Sequence, residues 1–284
     1  MTLVVSDISK HGIVMVGDSA VTKKRGTTVI DVVAGAVKAQ YCSKANIGIT
    51  MWGYGQVDGN SLDKWVANFL TTSVEDSDNI ETVGTRLATE INRHHSTSGK
   101  PWKELVCGFH IGGYIDGLPH LYHVHCGHPG EPSHELRLYK DFPVDQHWTE
   151  PEFRHLLDNA FIHLRNGYHP LFGPLFDNIM EYSKQLKLHL GITFPQNNLE
   201  GRLSFYKELV KFVAGVLVAS GKHQAVNATL SSIAFDQNGL VFNQQLPLSL
   251  ATTTDPGVLD YYLTDSDNGQ TYHARRLNLL AKSK

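Results

Sequence analysis

The sequence predicts an α+β fold of four layers, αββα, in which two antiparallel sheets pack face to face and each carries a helix pair on its outer side. Three observations predict it. The elements run in the order strands, two helices, strands, two helices, strands, which suits layered sheets with segregated helices. The strands are joined by tight turns such as Ser9-Lys10-His11-Gly12, Asp116-Gly117 and Asp236-Gln237-Asn238-Gly239, so sequence neighbours pair antiparallel. No linker, repeat or low-complexity segment divides the 284 residues, so one domain is expected over 1–284, with a polar tail after 251.

The elements follow in order. Thr2 to Ser6 alternates apolar and β-branched residues and reads as a strand; Ile13 to Gly17 completes a hairpin, and Asp18 sits where it ends. Val29 to Val33 and Ala36 to Tyr41 read as a strand pair about Gly35. Ala45 to Met51 reads as a buried strand running into Trp52-Gly53-Tyr54-Gly55. Ser61 is an N-cap residue ahead of Leu62, Trp65, Val66 and Phe69, which share a helix face. Ile80, Val83, Leu87 and Ile91 mark a second helix over 79–95. Leu105 to Gly112 and Pro119 to Cys126 read as a hairpin, and residues 127–155 as irregular. Phe161 to Leu164 reads as a short strand, 171–190 and 199–219 as long helices, and 230–235 with 240–243 as a last hairpin.

Composition narrows the function classes. Apolar residues make up 41% and charged residues 19%, which suits an ordinary globular protein. A formal charge of -3 offers no electrostatic case for nucleic acid or an anionic membrane. The strongest apolar run, Phe212 to Ala219, is too short to span a bilayer. Cys42, Cys107 and Cys126 are three, widely spaced and without a CxxC, which favours a reducing compartment. With no signal peptide ahead of Asp7, the chain is expected to be cytoplasmic.

The chemistry is concentrated in the first 55 residues. Thr2 has a small side chain, so Met1 is open to removal by an aminopeptidase. Thr2 would then carry a hydroxyl and a free α-amine whose ordinary pKa is roughly 8, able to serve as the base for its own hydroxyl. Such a site needs a rigid terminus, which a strand starting at Thr2 supplies. It also needs a cation near the amine and a backbone N–H aimed at the oxyanion, for which a glycine at a strand end is suited.

Thr2-Leu3-Val4-Val5 followed by Gly12-Ile13-Val14-Met15-Val16-Gly17-Asp18-Ser19-Ala20-Val21-Thr22 resembles the opening of proteasome β-type subunits and the related bacterial ring peptidase, members of the N-terminal-nucleophile (Ntn) hydrolases. Lys38 followed by Asn46-Ile47-Gly48-Ile49-Thr50-Met51-Trp52-Gly53 resembles that family's lysine, strand and oxyanion glycine. Residues 106–124, with the Asp116-Gly117 turn and Pro119-His120-Leu121-Tyr122, resemble its central hairpin. The resemblance implies the Ntn hydrolase fold and a threonine-type hydrolase acting on peptide or other amide bonds. It implies Thr2 as nucleophile and base, Asp18 holding Lys38, Lys38 lowering the proton affinity of the Thr2 amine, and the Gly53 N–H in the oxyanion hole. It implies that Thr22 and Gly55 bind the substrate backbone by β-addition. It also implies a homo-oligomer of ring type and leaves open an ATPase partner. No cofactor and no metal are expected.

Several positions depart from the family pattern. Ala20 stands where a basic residue is usual. The Lys38 to Gly53 segment is about one residue longer than the family pattern, which leaves Lys44 as an alternative lysine. Arg165-Asn166-Gly167-Tyr168 is the nearest match to a missing Gly-Ser-Gly turn, and Val226-Asn227-Ala228-Thr229 replaces an Asp-x-x-Ser-Gly-Gly motif. The segment 127–200 is long for this family. These changes keep two other functions in view: a catalytically inactive scaffold or binding subunit, and an amidase for small amides. His120, His123, His125, Cys126 and His128 invite a metal reading, but their spacing matches no closed zinc motif, and histidines of a central strand are commonly buried and hydrogen-bonded. His94-His95 suits a helix end, and Phe205, Tyr206 and Phe212 fall at helical spacing and are expected in the core.

Overall fold

The computed structural model describes residues 2–25, 28–33, 35–53, 55–100, 105–126, 135–143, 148–167, 169–220, 226, 228–244, 258–264 and 271–277; for 22–33, 169–170 and the last two stretches only the backbone is considered. Contacts group the chain into two units, 1–245 and 246–284.

Among the described residues, the first unit is α+β, with two five-stranded antiparallel sheets and five helices. The first sheet is built on the hairpin of β1 (Leu3–Ser9) and β2 (Gly12–Asp18), whose register puts Ser9 opposite Gly12. It adds β12 (Ile162–Gly167) beside β1, then β13 (Leu230–Asp236) and β14 (Gly239–Gln244) beside β2, in the order β12-β1-β2-β13-β14. The second sheet runs β11-β10-β9-β6-β5, from β5 (Ala39–Cys42), β6 (Ile47–Gly53), β9 (Cys107–Ile115), β10 (Leu118–His125) and β11 (Arg137–Phe142). Two short pairs complete the unit: β3 (Val21–Arg25) with β4 (Thr28–Val33), and β7 (Gln56–Val57) with β8 (Asn60–Ser61).

Strand alternation sorts the core into three clusters. Ile49, Met51, Phe109, Ile111 and Val124 of the second sheet pack with Val66 and Phe69 of α1 (Leu62–Thr72) and Val83, Leu87 and Ile91 of α2 (Ile80–Thr97). Leu3, Val5, Val14 and Val16 of the first sheet pack with Phe172 and Phe176 of α4 (His169–Leu190) and Leu209, Val210 and Val213 of α5 (Leu199–Ala219). A third cluster joins Ile8, Ile13, Met15, Ile233 and Phe235 of the first sheet to Ala39 and Leu121 of the second. It also takes in Phe153 and Leu157 of α3 (Glu150–Asn159). Caps set the helix starts: Asn79 and Thr82 form a reciprocal capping box at α2, as Thr149 and Glu152 do at α3.

The structure corrects several expectations. Val29 to Val33 does not pair with Ala36 to Tyr41; β4 pairs with β3, and β5 pairs with β6, because the chain leaves the hairpin before Lys38 and enters the second sheet. The stretch expected to be irregular holds β11 and α3, an edge strand and a capped helix whose short apolar patterns are weak signals. Phe212 is 56% exposed, whereas Phe205 and Tyr206 are buried: the face of α5 that carries Phe212 looks away from the first sheet. The second unit contains β15 (Val258–Thr264) and β16 (Thr271–Leu277), an antiparallel pair with Tyr261 opposite Ala274. Among the described residues, no helix is long and apolar enough to cross a membrane.

Candidate active site

The site begins where β1 begins. Thr2 is 9% exposed, and Thr2, Val4, Ser6 and Ile8 share the face of β1 that looks toward the second sheet. Asp18 ends β2 and is fully buried. Its Oδ1 accepts the Leu3 N–H at 2.8 Å, and its Oδ2 accepts the Ala20 N–H at 2.9 Å. The carboxylate therefore clasps the backbone next to Thr2 and holds the start of the strand in place.

Lys38 closes the cluster. Its Nζ donates to Thr2 Oγ1 at 2.8 Å, to Asp18 Oδ1 at 2.9 Å and to the Ala20 carbonyl at 2.6 Å. Three acceptors match the three protons of an ammonium. Burial pushes the Lys38 pKa below its ordinary value, and the charge and hydrogen bond of Asp18 offset part of that shift. The result is a desolvated cation aimed at a hydroxyl, which favours developing negative charge on Oγ1.

Local structure explains how Lys38 arrives there. Its own N–H and that of Ala39 both reach Ser231 Oγ, at 2.8 and 3.0 Å, and its carbonyl accepts the Met51 N–H at 3.1 Å. Lys38 is thus pinned between β13 of one sheet and β6 of the other. Gly17 leaves room for it: a Cβ there would meet Lys38 Cβ at 2.9 Å. Gly167 does the same for Thr2. With φ of +94° it lies so close that a Cβ would overlap the Thr2 carbonyl oxygen.

The other expected residues fall as follows. Gly53 is the last residue of β6, opposite Cys107, with φ of +92°; a Cβ would collide with the Val106 carbonyl. Gly55 accepts the Leu62 N–H through its carbonyl at 2.9 Å, and its Cα lies near Val21. Thr22 sits in β3 opposite Val32, and its side chain lies outside the described residues, as does Met1. Lys44 is engaged elsewhere: its Nζ donates to the Thr71 and Val74 carbonyls at the end of α1. Ala20 is 2% exposed and its carbonyl receives Lys38, so a long basic side chain has no room there. The Thr229 carbonyl, in the segment that replaces the Asp-x-x-Ser-Gly-Gly motif, accepts the Ser19 N–H.

His120, His123 and His125 are buried, and among the described residues no group of three or more His, Cys, Asp or Glu is placed to hold a metal. His94 pairs with Asp58 at 2.7 Å and His95 is buried at the end of α2. Ser231 and Gly17 are the supports that sequence reasoning missed, and Gly167 entered it only as part of the nearest match to a missing Gly-Ser-Gly turn. A glycine between Val16 and Asp18 in a buried strand is a signal of close approach; Ser231 carries no such signal.

The first unit thus sets two antiparallel sheets about a threonine at the start of the first strand, bound by a buried lysine. Solved structures that share this fold include those of Anbu. The Gly-1 mutant of Anbu from Hyphomicrobium sp. strain MC1 superposes with a TM-score of 0.52 at 12% identity, over 88% of each chain. Anbu from Yersinia bercovieri, described as an ancestral β-subunit, gives a TM-score of 0.50 at 12% identity over 86% of each chain. No protein-family model matches the chain, and no curated protein matches it. The resemblance to proteasome β-type subunits is thereby corrected: the neighbours belong to a proteasome-like but distinct family. The segments behind that resemblance open β1 at Thr2 and end β2 at Asp18 and β6 at Gly53, places set by the fold that the chain shares with those neighbours.

Proposed function

We propose that the chain is a threonine-type Ntn hydrolase that cleaves peptide or other amide bonds, with Thr2 as nucleophile after loss of Met1. The observation that carries this is the buried Lys38 ammonium bonded to both Thr2 Oγ1 and Asp18. The α-amine of Thr2 takes the hydroxyl proton as Oγ1 attacks the carbonyl carbon, and Lys38 stabilises the charge that develops on Oγ1. The acyl-enzyme ester is then released by water, with the same amine moving the proton. Asp18 holds Lys38 and the strand start together.

Gly53 supplies the oxyanion donor. The Met51 N–H points from β6 toward Lys38 on the β5 side. Strand alternation turns the Gly53 N–H to the same side, beyond the point where β5 begins at Ala39. Thr22 and Gly55 flank the substrate: β3 and the chain after β6 approach each other at Val21 and Gly55, leaving backbone for β-addition. The three core clusters support a four-layer αββα order for the first unit, the order that puts Thr2 at the end of the interface between the sheets. A homo-oligomer of ring type would cover Tyr182, Leu188, Phe212 and Val218, which stand 56–74% exposed on α4 and α5. Three unpaired cysteines agree with work in the cytoplasm.

The test is the intact mass of the purified protein with and without a threonine-reactive β-lactone. A chain that lacks Met1 and gains one probe mass, lost in Thr2→Ala, is the expected result. A chain that keeps Met1 and takes up no probe overturns the enzyme reading and leaves a non-catalytic scaffold, the function that the two replaced motifs favour.

A further inference from the structure

Behind Thr2 lies a second polar chain that the chemistry above does not use. Ser6 Oγ sits 3.2 Å from Thr50 Oγ1 and 3.0 Å from His110 Nδ1, and His110 Nε2 sits 2.6 Å from Asn166 Oδ1. Ser6, Thr50 and His110 are fully buried. Asn166 Oδ1 can only accept, so Nε2 carries the imidazole proton and Nδ1 accepts from the Ser6 hydroxyl, which in turn accepts from Thr50. Burial holds the His110 pKa down to about 4, so the ring is neutral near pH 7.

The chain links three strands to the place where Thr2 sits. Ser6 is on β1 and shares a face with Thr2, Thr50 is on β6 directly opposite Ala39, and His110 is on β9 opposite Thr50. Asn166 is opposite Val4 and immediately precedes Gly167, the residue that lies against the Thr2 carbonyl. Among the described residues, the Thr2 backbone is walled by Gly167 on one side and clasped through Leu3 by Asp18 on the other. The Asn166 side chain is what ties that wall to the second sheet.

We propose that His110 is a positioning residue for Thr2: by holding Asn166 and Ser6 it sets Gly167 against the Thr2 carbonyl and so aims the Thr2 hydroxyl. Its consequence for catalysis rests on the reading of Thr2 as nucleophile; its consequence for the order of the strand start does not. Three variants test it: Asn166→Leu, Asn166→Asp and His110→Phe. Each is read by the rate of β-lactone labelling of Thr2 and by amide hydrogen exchange at Leu3, with melting temperature recorded alongside. Asn166→Leu and His110→Phe are expected to slow labelling roughly 10- to 100-fold, the cost of a displacement of about 1 Å, and to speed Leu3 exchange. Asn166→Asp keeps an acceptor at Nε2 and is expected to retain most of the parent's rate and protection. Unchanged labelling and exchange in Asn166→Leu overturns the proposal; so does equal loss in Asn166→Leu and Asn166→Asp, which would make 166 a packing position. Should His110→Phe fail to fold, the half-buried Asn166 pair carries the test. Should the parent take up no probe, the nucleophile reading falls by itself, and Leu3 exchange in the two Asn166 variants still decides the positioning.

Discussion

Two buried ion pairs flank β1, one on each face, and they are built for opposite ends. On the face toward the second sheet, Lys38 pairs with Asp18 and spends a proton on the Thr2 hydroxyl. On the face toward α5, Arg202 pairs with Asp7 at 2.8 Å, with both side chains essentially unexposed. Tyr206 donates to the second Asp7 oxygen at 2.9 Å, and Arg202 donates two further bonds to Asn197 Oδ1 and one to the Ala160 carbonyl. The guanidinium also lies 4.1 Å above the Phe161 ring. Arginine cannot release a proton at any working pH, whereas lysine shifts readily when desolvated. The Arg202 pair is closed within the core and pins α5 to β1. The Lys38 pair ends in a hydroxyl at the rim of the sheets. The same charge pairing thus fixes a helix in one place and aims an ammonium at a hydroxyl in the other.

The sharpest way to break this contrast is at Lys38. Lys38→Met is expected to cut β-lactone labelling by roughly 10²–10⁴-fold. It is also expected to lower stability by about 3–5 kcal/mol, because Asp18 is left buried without its cation. Labelling at the parent rate in that variant would remove Lys38 from the chemistry. Arg202→Met should match the stability loss, about 3–5 kcal/mol by urea denaturation, while the folded fraction still labels. If the folded Arg202→Met protein is inert, the two pairs are not separable and the contrast fails. The double change Asp7→Leu with Arg202→Met should recover most of the loss, since no charge is then stranded.

Acid sharpens the comparison further. His110 is held near pH 4 against an ordinary value of 6.5, so it is neutral in the native state while the unfolded chain binds a proton. The stability it contributes is present in full above pH 6.5 and is lost as pH falls toward 4, about 3 kcal/mol in all. Asp7 runs the other way. Burial raises its pKa to about 6 from 3.8 against the pull of Arg202, so its contribution is present below pH 3.8 and lost as pH rises through 6. The two overlap, and the difference between the parent and His110→Gln isolates the first. Urea midpoints from pH 7.5 to 4.5 should fall more steeply in the parent; parallel curves would show that His110 is not held neutral by its surroundings. The smallest effect is expected at Gly17→Ala, where the new methyl meets Lys38 Cβ at 2.9 Å and costs about 1–3 kcal/mol. Labelling should slow with it if the placement of Lys38 matters, and a variant that loses stability without losing rate would show that Lys38 tolerates the shift.

Much of the scaffold was legible from local signals. The hairpins at Lys10-His11, Asp116-Gly117 and Gln237-Asn238, and the helices of α1, α2, α4 and α5, follow from turn chemistry and from apolar residues at periods of 2 and 3.6. The partners of β4 and β5 were not, because a strand's sequence states its faces but not which edge it joins. β11 and α3 were missed where short apolar patterns lie among prolines and histidines. At the site, Thr2 could be named from its residue type and place, Asp18 and Lys38 only from the family resemblance, and the structure brings these three together. Lys38 and Lys44 could not be told apart by spacing. What separates them is that the chain turns into β5 just after Lys38, so its side chain enters the buried cluster, whereas Lys44 falls in the turn after β5 and reaches the end of α1.

By itself, then, the sequence determined which residues alternate, where the chain turns and which side chains carry a hydroxyl, a carboxylate and an ammonium, because those are properties of neighbours along the chain. Only the tertiary structure decided that Gly167 walls Thr2, that Ser231 seats Lys38 and that Asn166 meets His110. Those contacts span from 56 to 193 residues, and they exist only once two sheets have closed on each other and excluded water.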